Sequence, residues 1–288
     1  MRKVIGIGET LLDIIFKDNK PVEAVPGGST FNAIVSLGRV GADAFFVTET
    51  GDDHVGALVR SFLSSNNVCT DYVLERKGWK SPVSLAFLDS DNNANYTFYR
   101  DPNADPVDIP LPEINPDDIV LFGSFYAVSP ATRARVIALL ERARDCGAII
   151  YYDVNFRPSH RGDVMKVTPN LIENLEYADI VRGSRDDFEV LYKKNSAERV
   201  YRAETSFYCP RLVYTDGPRP VTVFSDGGFR KEYAMPETPT VSTIGAGDNF
   251  NAGLICAMLR YDIRRADIER GLTEVEWSKL IESATAFS

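Results

Sequence analysis

DIVLFGSFYAVSPATRARVIALLERARDCGAIIYYDVN, residues 118–155, reads as strand, helix, strand. DIVLFGS is an apolar run closed by a glycine and a serine. A helical segment through ATRARVIALLERARDCG follows, and AIIYYDVN is a second apolar run. The alternation continues with a helix near 168–177, ADIVRGS (178–184), a helix from Arg185, and RLVYT (211–215). Strands that alternate with helices predict a mostly parallel sheet covered on both faces, wound with right-handed crossovers.

Upstream, VIGIG (4–8) and FFVTETG (45–51) read as strands of the same sheet. Phe31, Ile34, Leu37 and Val40 recur at roughly helical spacing over 30–40, and HVGALVRSFLSS forms a second helix. LDIIF and VEAV flank Lys17–Lys20 as one short hairpin. SPVSLAFLD (81–89) and NYTFYR (95–100) flank SDNNA as another. Both are too short and polar to fold alone. They suit a small lid, about 11–26 and 81–100, over the carboxyl edge of a single domain spanning 1–288, where such sheets bind ligands.

The chain has 288 residues, a net charge of −9 and a pI of about 4.9. This acidic balance argues against a nucleic-acid partner and against acidic membranes. Cys69, Cys146, Cys209 and Cys256 form no CxxC pair, and His54 and His160 are the only histidines, so zinc is not expected. The thiols read as reduced and mostly buried. Glu9 and Asp13 interrupt the apolar N-terminus, which reads neither as a signal peptide nor as a membrane span. The expectation is a cytoplasmic protein.

GIGETL (6–11) follows a strand and begins GxG, but Leu11 occupies the third glycine position and strand-like residues follow, so a dinucleotide fingerprint is not expected. No Walker A pattern occurs. STIGAGDNF (242–250) is more informative. Its small residues are compatible with a plain tight turn capped by an acid, and also with an anion hole. In the second reading the amides of Gly245, Ala246 and Gly247 converge on an anion at the start of a helix. Asp248 then stands beside that anion as a base able to take a proton from an incoming hydroxyl.

VSTIGAGDNFNAGLI (241–255) resembles the C-terminal signature of the ribokinase-like (PfkB) carbohydrate kinases. PGGSTFNAIVSLGRVGADAFFVTETGDD (26–53) resembles the N-terminal one, about 215 residues earlier. GETLLDII, DVNFR (153–157), DIVRGSRDDF (179–188) and TDG (215–217) agree with them. The resemblance implies a three-layer sandwich with a mostly parallel central sheet and a β lid. It implies transfer of a phosphoryl group from Mg·ATP to a sugar, with Asp248 as general base. Asp13, Gly27, Gly28, Asn32, Arg100, Asn155 and Arg157 match sugar-side positions, and Ser184, Thr215, Gly217 and Gly247 match nucleotide-side positions. Asp187 falls where a carboxylate organises water around the metal, with a surface helix-capping acid as the alternative reading of that position. Homodimers through the lid occur in this family.

Three departures qualify the match. Ser242 replaces the aspartate that helps bind a monovalent cation, which puts potassium activation in doubt. Ser184 replaces an asparagine. The sequence ends at ESATAFS, where relatives generally continue with a segment that closes the adenine pocket. GGSTFN has no lysine where kinases acting on sugar phosphates commonly have one. Together with FYR and the following Ala104 and Asp105, it looks most like the fructokinases. 2-keto-3-deoxygluconate kinases and nucleoside kinases are the rival family readings, and a sugar sensor that has lost catalysis is the non-enzyme one.

Overall fold

The computed structural model describes residues 2–89, 94–100, 107–236 and 245–288. The residues 90–93 of the SDNNA turn, Ala104, Asp105 and Ser242 lie outside them.

Fourteen strands occur among the described residues: β1 Lys3–Ile7, β2 Leu11–Lys17, β3 Lys20–Gly27, β4 Asp43–Gly51, β5 Val68–Cys69, β6 Val73–Arg76, β7 Val83–Leu88, β8 Ala94–Tyr99, β9 Ile119–Gly123, β10 Ile149–Asp153, β11 Ile180–Ser184, β12 Leu212–Asp216, β13 Arg219–Ser225 and β14 Phe229–Tyr233. Ten form one sheet in the order β14-β13-β12-β11-β10-β9-β1-β4-β5, with β6 paired to β4. The run from β12 to β5 is parallel, and β13 and β14 extend it as an antiparallel hairpin. Chain order reverses across β1, which has β9 on one side and β4 on the other. Ligands of open α/β sheets bind at the carboxyl ends of the strands near such a reversal.

Strand alternation divides the core between two faces. On β10, Tyr151 packs with the helices Ser29–Arg39, Ala246–Arg260 and Glu274–Phe287. Its neighbour Tyr152 packs with the helices Arg133–Asp145 and Val164–Tyr177 on the other face. Both tyrosines are fully buried, and the Tyr151 hydroxyl donates to Asn251 Oδ1 at 3.0 Å. This is the expected three-layer arrangement of helices, sheet and helices. The helix expected near 168–177 begins at Val164 and carries Pro169 inside it.

β1 runs into β2 rather than a helix, so GIGETL has no helix start to offer a pyrophosphate. β2 belongs to a separate four-stranded sheet in the order β3-β2-β7-β8. In register, Asp13 stands beside Ser84, and Ser84 faces Phe98 across β7 and β8, so one side of this sheet presents Asp13, Ser84, Phe98 and Tyr96. No helix among the described residues is long and apolar enough to cross a membrane. The four cysteines are free, but only Cys209 is buried; the other three are partly exposed, because they sit at element ends or on helix flanks.

Candidate active site

The helix Ala246–Arg260 begins at Gly245, whose φ of 77° is the left-handed conformation that glycine adopts without strain. The first amides of a helix have no intrahelical acceptor, so Ala246 and Gly247 offer N–H groups at its positive end. Asp248 is the third helical residue and is 5% exposed. Ser29 Oγ donates to its Oδ1 at 2.9 Å, and Asn32 Nδ2 donates to its Oδ2 at 2.8 Å. Both donors lie on the first turn of the helix Ser29–Arg39. Burial pushes the Asp248 carboxyl up to about 6. The bonds from Asn32 and Ser29 and the charge of Arg157 oppose that rise, and the nearby Asp153 carboxylate reinforces it. A carboxylate in this range is ionised at neutral pH and basic enough to accept a proton.

Asp13 faces the same space from the lid. Its Oδ1 accepts from Ser84 Oγ, and burial raises its pKa while Arg157 opposes the rise. The glycine pair expected to admit a sugar ring has a structural reason as well. A β-carbon on Gly28 would lie 2.5 Å from the Glu9 carbonyl oxygen, and one on Gly27 would lie 2.5 Å from Asp13 Oδ2. Asn155, with φ of 32°, donates from Nδ2 to Ser29 Oγ. Asp13, Gly27, Gly28, Asn32, Asn155, Arg157 and Asp248 are thus gathered at one end of the sheet. Arg100 is paired with Glu9 at 2.6 Å and packs over the Phe98 ring. With Glu9, Trp79, Tyr126 and Arg135 it lines a cavity of about 190 Å³.

On the nucleotide side the geometry departs from expectation. Asp187 Oδ1 accepts the Phe156 amide at 2.8 Å, and Oδ2 accepts the Ser184 amide and hydroxyl, each at 2.7 Å. Ser184 and Asp187 form a buried capping box on the helix Arg185–Tyr192. Asp187 thus caps its own helix, with its oxygens accepting from the Phe156 and Ser184 amides and the Ser184 hydroxyl. Thr215 is buried, and its Oγ1 accepts from Arg182 Nη2 at 2.8 Å. Gly217, at φ 56°, forms the exposed turn between β12 and β13.

Sequence reasoning passed over three residues. Arg182, 7% exposed, pairs with Asp153 at 3.0 Å and lies directly beneath Gly247. A charged residue in the middle of the apolar run ADIVRGS was the available signal, since arginine is rarely buried without a partner. Tyr96, half-buried on the lid, has its pKa raised by burial and by the Asp13 and Asp248 charges. Ser29, read only as a missing lysine, is bonded to Asp248.

The chain resembles fructokinase-2 from Solanum habrochaites, 25% identical over 94% of this chain and 86% of that protein. It also resembles 5-dehydro-2-deoxygluconokinase 2 from Bacillus cereus, 23% identical over 89% of this chain and 82% of that one. Among solved structures it superposes on a fructokinase double mutant from Vibrio cholerae O395 with fructose, ADP and potassium ion bound, with a TM-score of 0.85 at 19% identity, covering 99% of this chain and 90% of that one. The model of the pfkB family carbohydrate kinases matches residues 1–278. The chain belongs to that family, and it is an ATP-dependent sugar kinase.

Proposed function

We propose that this kinase transfers the γ-phosphoryl group of Mg·ATP to a hydroxyl of an unphosphorylated ketohexose, fructose before others, with Asp248 as general base. The observation that supports this reading most is the position of Asp248. It stands between the helix-start amides of Gly245–Gly247 and the polar side chains of Ser29, Asn32, Asn155 and Asp13. In the transfer the acceptor O–H bond breaks and its proton passes to Asp248. The hydroxyl oxygen bonds to phosphorus, and the bond from phosphorus to the ADP oxygen breaks. The turn amides stabilise charge on the moving phosphoryl group.

Among the described residues no three His, Cys, Asp or Glu side chains converge as a metal site, and Asp187 serves as a cap. A divalent ion, Mg²⁺ in this reading, would be carried by the nucleotide and, when bound, would neutralise β- and γ-phosphate charge. Thr215 and Gly217 border the nucleotide. The V. cholerae fructokinase was solved with potassium bound. Here Ser242 brings no carboxylate to such a site, so exchanging Na⁺ for K⁺ should change turnover little; a large rise in rate would refute that expectation.

Asp13 and Asn32 supply the hydrogen bonds a neutral polyol needs, and Ser29 leaves a second substrate phosphate without a lysine. A phosphoryl-acceptor screen with Mg·ATP over hexoses, pentoses, keto-deoxy acids, nucleosides and fructose 6-phosphate tests the reading. Fructose should be the best acceptor, and Asp13→Ala should lose most of kcat/KM for it while leaving the KM for ATP unchanged. Faster turnover of a keto-deoxy acid or of fructose 6-phosphate would overturn the fructose assignment.

A further inference from the structure

A chain of polar groups, all but Ser29 buried, connects to Asp248 through the Ser29 hydroxyl. Ser29 Oγ is 2.9 Å from Asp248 Oδ1 and 3.4 Å from Asp153 Oδ2, and it accepts from Asn155 Nδ2. One hydroxyl proton is therefore shared by two carboxylates. Asp153, 2% exposed at the end of β10, is held by Arg182 Nη1 at 3.0 Å, and Arg182 Nη2 reaches Thr215. The Arg182 guanidinium packs against the turn itself: a β-carbon on Gly247 would lie 3.0 Å from Nη2 and 3.1 Å from Nη1.

We propose that Ser29 is a positioning residue for phosphoryl transfer, its hydroxyl donating to Asp248 while that carboxylate is charged and turning to Asp153 once Asp248 has taken the acceptor proton. The proposal rests on Asp248 being the base. In the turn no covalent bond breaks, because the hydroxyl hydrogen only rotates about the Ser29 C–O bond. Asp153 remains paired with Arg182, and the acceptor proton stays on Asp248. Asn155, donating to Oγ, leaves the hydroxyl hydrogen as the only part of Ser29 free to choose.

Charged and titratable groups face Asp248 from several elements. Asp153 comes from β10, Arg157 from the segment after it, Arg182 from β11, Tyr96 from β8 and Asp13 from β2. Asp153 opposes ionisation of Asp248, whereas Ser29, Asn32 and Arg157 favour it. Without the Ser29 hydroxyl the two carboxylates would face each other with nothing between them, and Asp248 would ionise at higher pH.

The experiment compares the full-length protein with Ser29→Ala, Ser29→Thr and Asp248→Asn. ¹³C NMR of aspartate labelled at Cγ follows the titration in the absence of ligands, and the Asp248 signal is the one missing from Asp248→Asn. Turnover of fructose with saturating Mg·ATP is measured on the same preparations from acid to alkaline pH. In Ser29→Ala the Asp248 midpoint and the acid limb of kcat should both move up by about one pH unit, a loss of about tenfold on the acid side that disappears at alkaline pH. Ser29→Thr should restore both, and the KM for ATP should not move. An unshifted Asp248 signal in Ser29→Ala, or a loss of kcat equal at every pH, would overturn the proposal while an inactive Asp248→Asn leaves the base assignment standing. Near-normal turnover by Asp248→Asn would overturn both.

Discussion

Asp187 and Asp248 occupy the same local position, the third residue of a helix that starts at the carboxyl edge of the sheet, and both are buried. Burial raises the pKa of each. Their uses differ because the residue three places earlier differs. Ser184 has a side chain and an extended backbone, so it closes a capping box that takes up Asp187, and the Phe156 amide takes the other oxygen. Gly245 has neither: left-handed and without a side chain, it offers Asp248 no hydroxyl. Among the described residues the Asp248 carboxylate is instead bonded by side chains of another helix, Ser29 and Asn32. One acid closes the start of its own helix, and the other, held from a second helix, is the one proposed as the base. Capping glycines at the N-terminus are therefore informative when an acid follows at the third position.

The most direct way to break this contrast is to make the same change at both sites. Asp248→Asn keeps the side-chain shape but cannot take a proton, so kcat should fall by at least about 10²-fold with nucleotide affinity little changed. Asp187→Asn should behave in the opposite way. Its new amide nitrogen would face an N–H donor, which costs about 1–3 kcal/mol of stability, while kcat per folded molecule stays within a few-fold of wild type. Steady-state kinetics and thermal melts on the two variants settle it. A catalytic collapse in Asp187→Asn without loss of stability would return Asp187 to the metal.

A smaller effect sharpens the same contrast. Because burial raises the Asp248 carboxyl to about 6 in the ligand-free protein, kcat/KM for the sugar should be lost as pH falls through that region and should be flat above it. The sign follows from the base acting only when ionised. A profile flat down to the ordinary carboxylate range of about 4 would show that Asp248 is not buried as described.

Much of this was legible in the sequence for physical reasons. Apolar runs closed by small residues fixed β9 to β12, and the glycine turn announced the start of the helix Ala246–Arg260. What escaped was set by three-dimensional pairing. Arg182 and Asp153 are 29 residues apart, and nothing in either local pattern shows that one neutralises the other. Ser29 and Asp248 are 219 apart. The capping box of Ser184 and Asp187 was readable as S-x-x-D, and the capping alternative at Asp187 differs from the structure only in that the residue is buried. The hairpin of β13 and β14 went unread although RPVTVFSDGGFRKEY carries a glycine turn between alternating residues.

The smallest effect concerns stability rather than rate. The folded-state pKa of Asp248, about 6, is raised above the ordinary carboxylate value of about 4. Its contribution to stability is therefore fully present below the unfolded pKa and is lost as pH rises through the folded one. Above about pH 6 the ionised carboxylate destabilises the ligand-free fold, by at most about 3 kcal/mol for a two-unit rise. Asp248→Asn removes that charge. Its carbonyl can still accept from Ser29, and the Asn32 amide can turn to accept from the new amide group. The catalytically dead variant should thus be the more stable protein at pH 8, by about 1–3 kcal/mol, raising Tm by a few degrees. Near pH 4.5 the gain should shrink to about a third, because wild-type Asp248 is then protonated in the fold, and it should vanish only below the unfolded pKa of about 4. Melting curves of both proteins at the two pH values, without ligands, give the answer. An equal or lower Tm for Asp248→Asn at pH 8 would mean that the fold holds this charge without strain, and the contrast with Asp187 would then rest on bonding geometry alone.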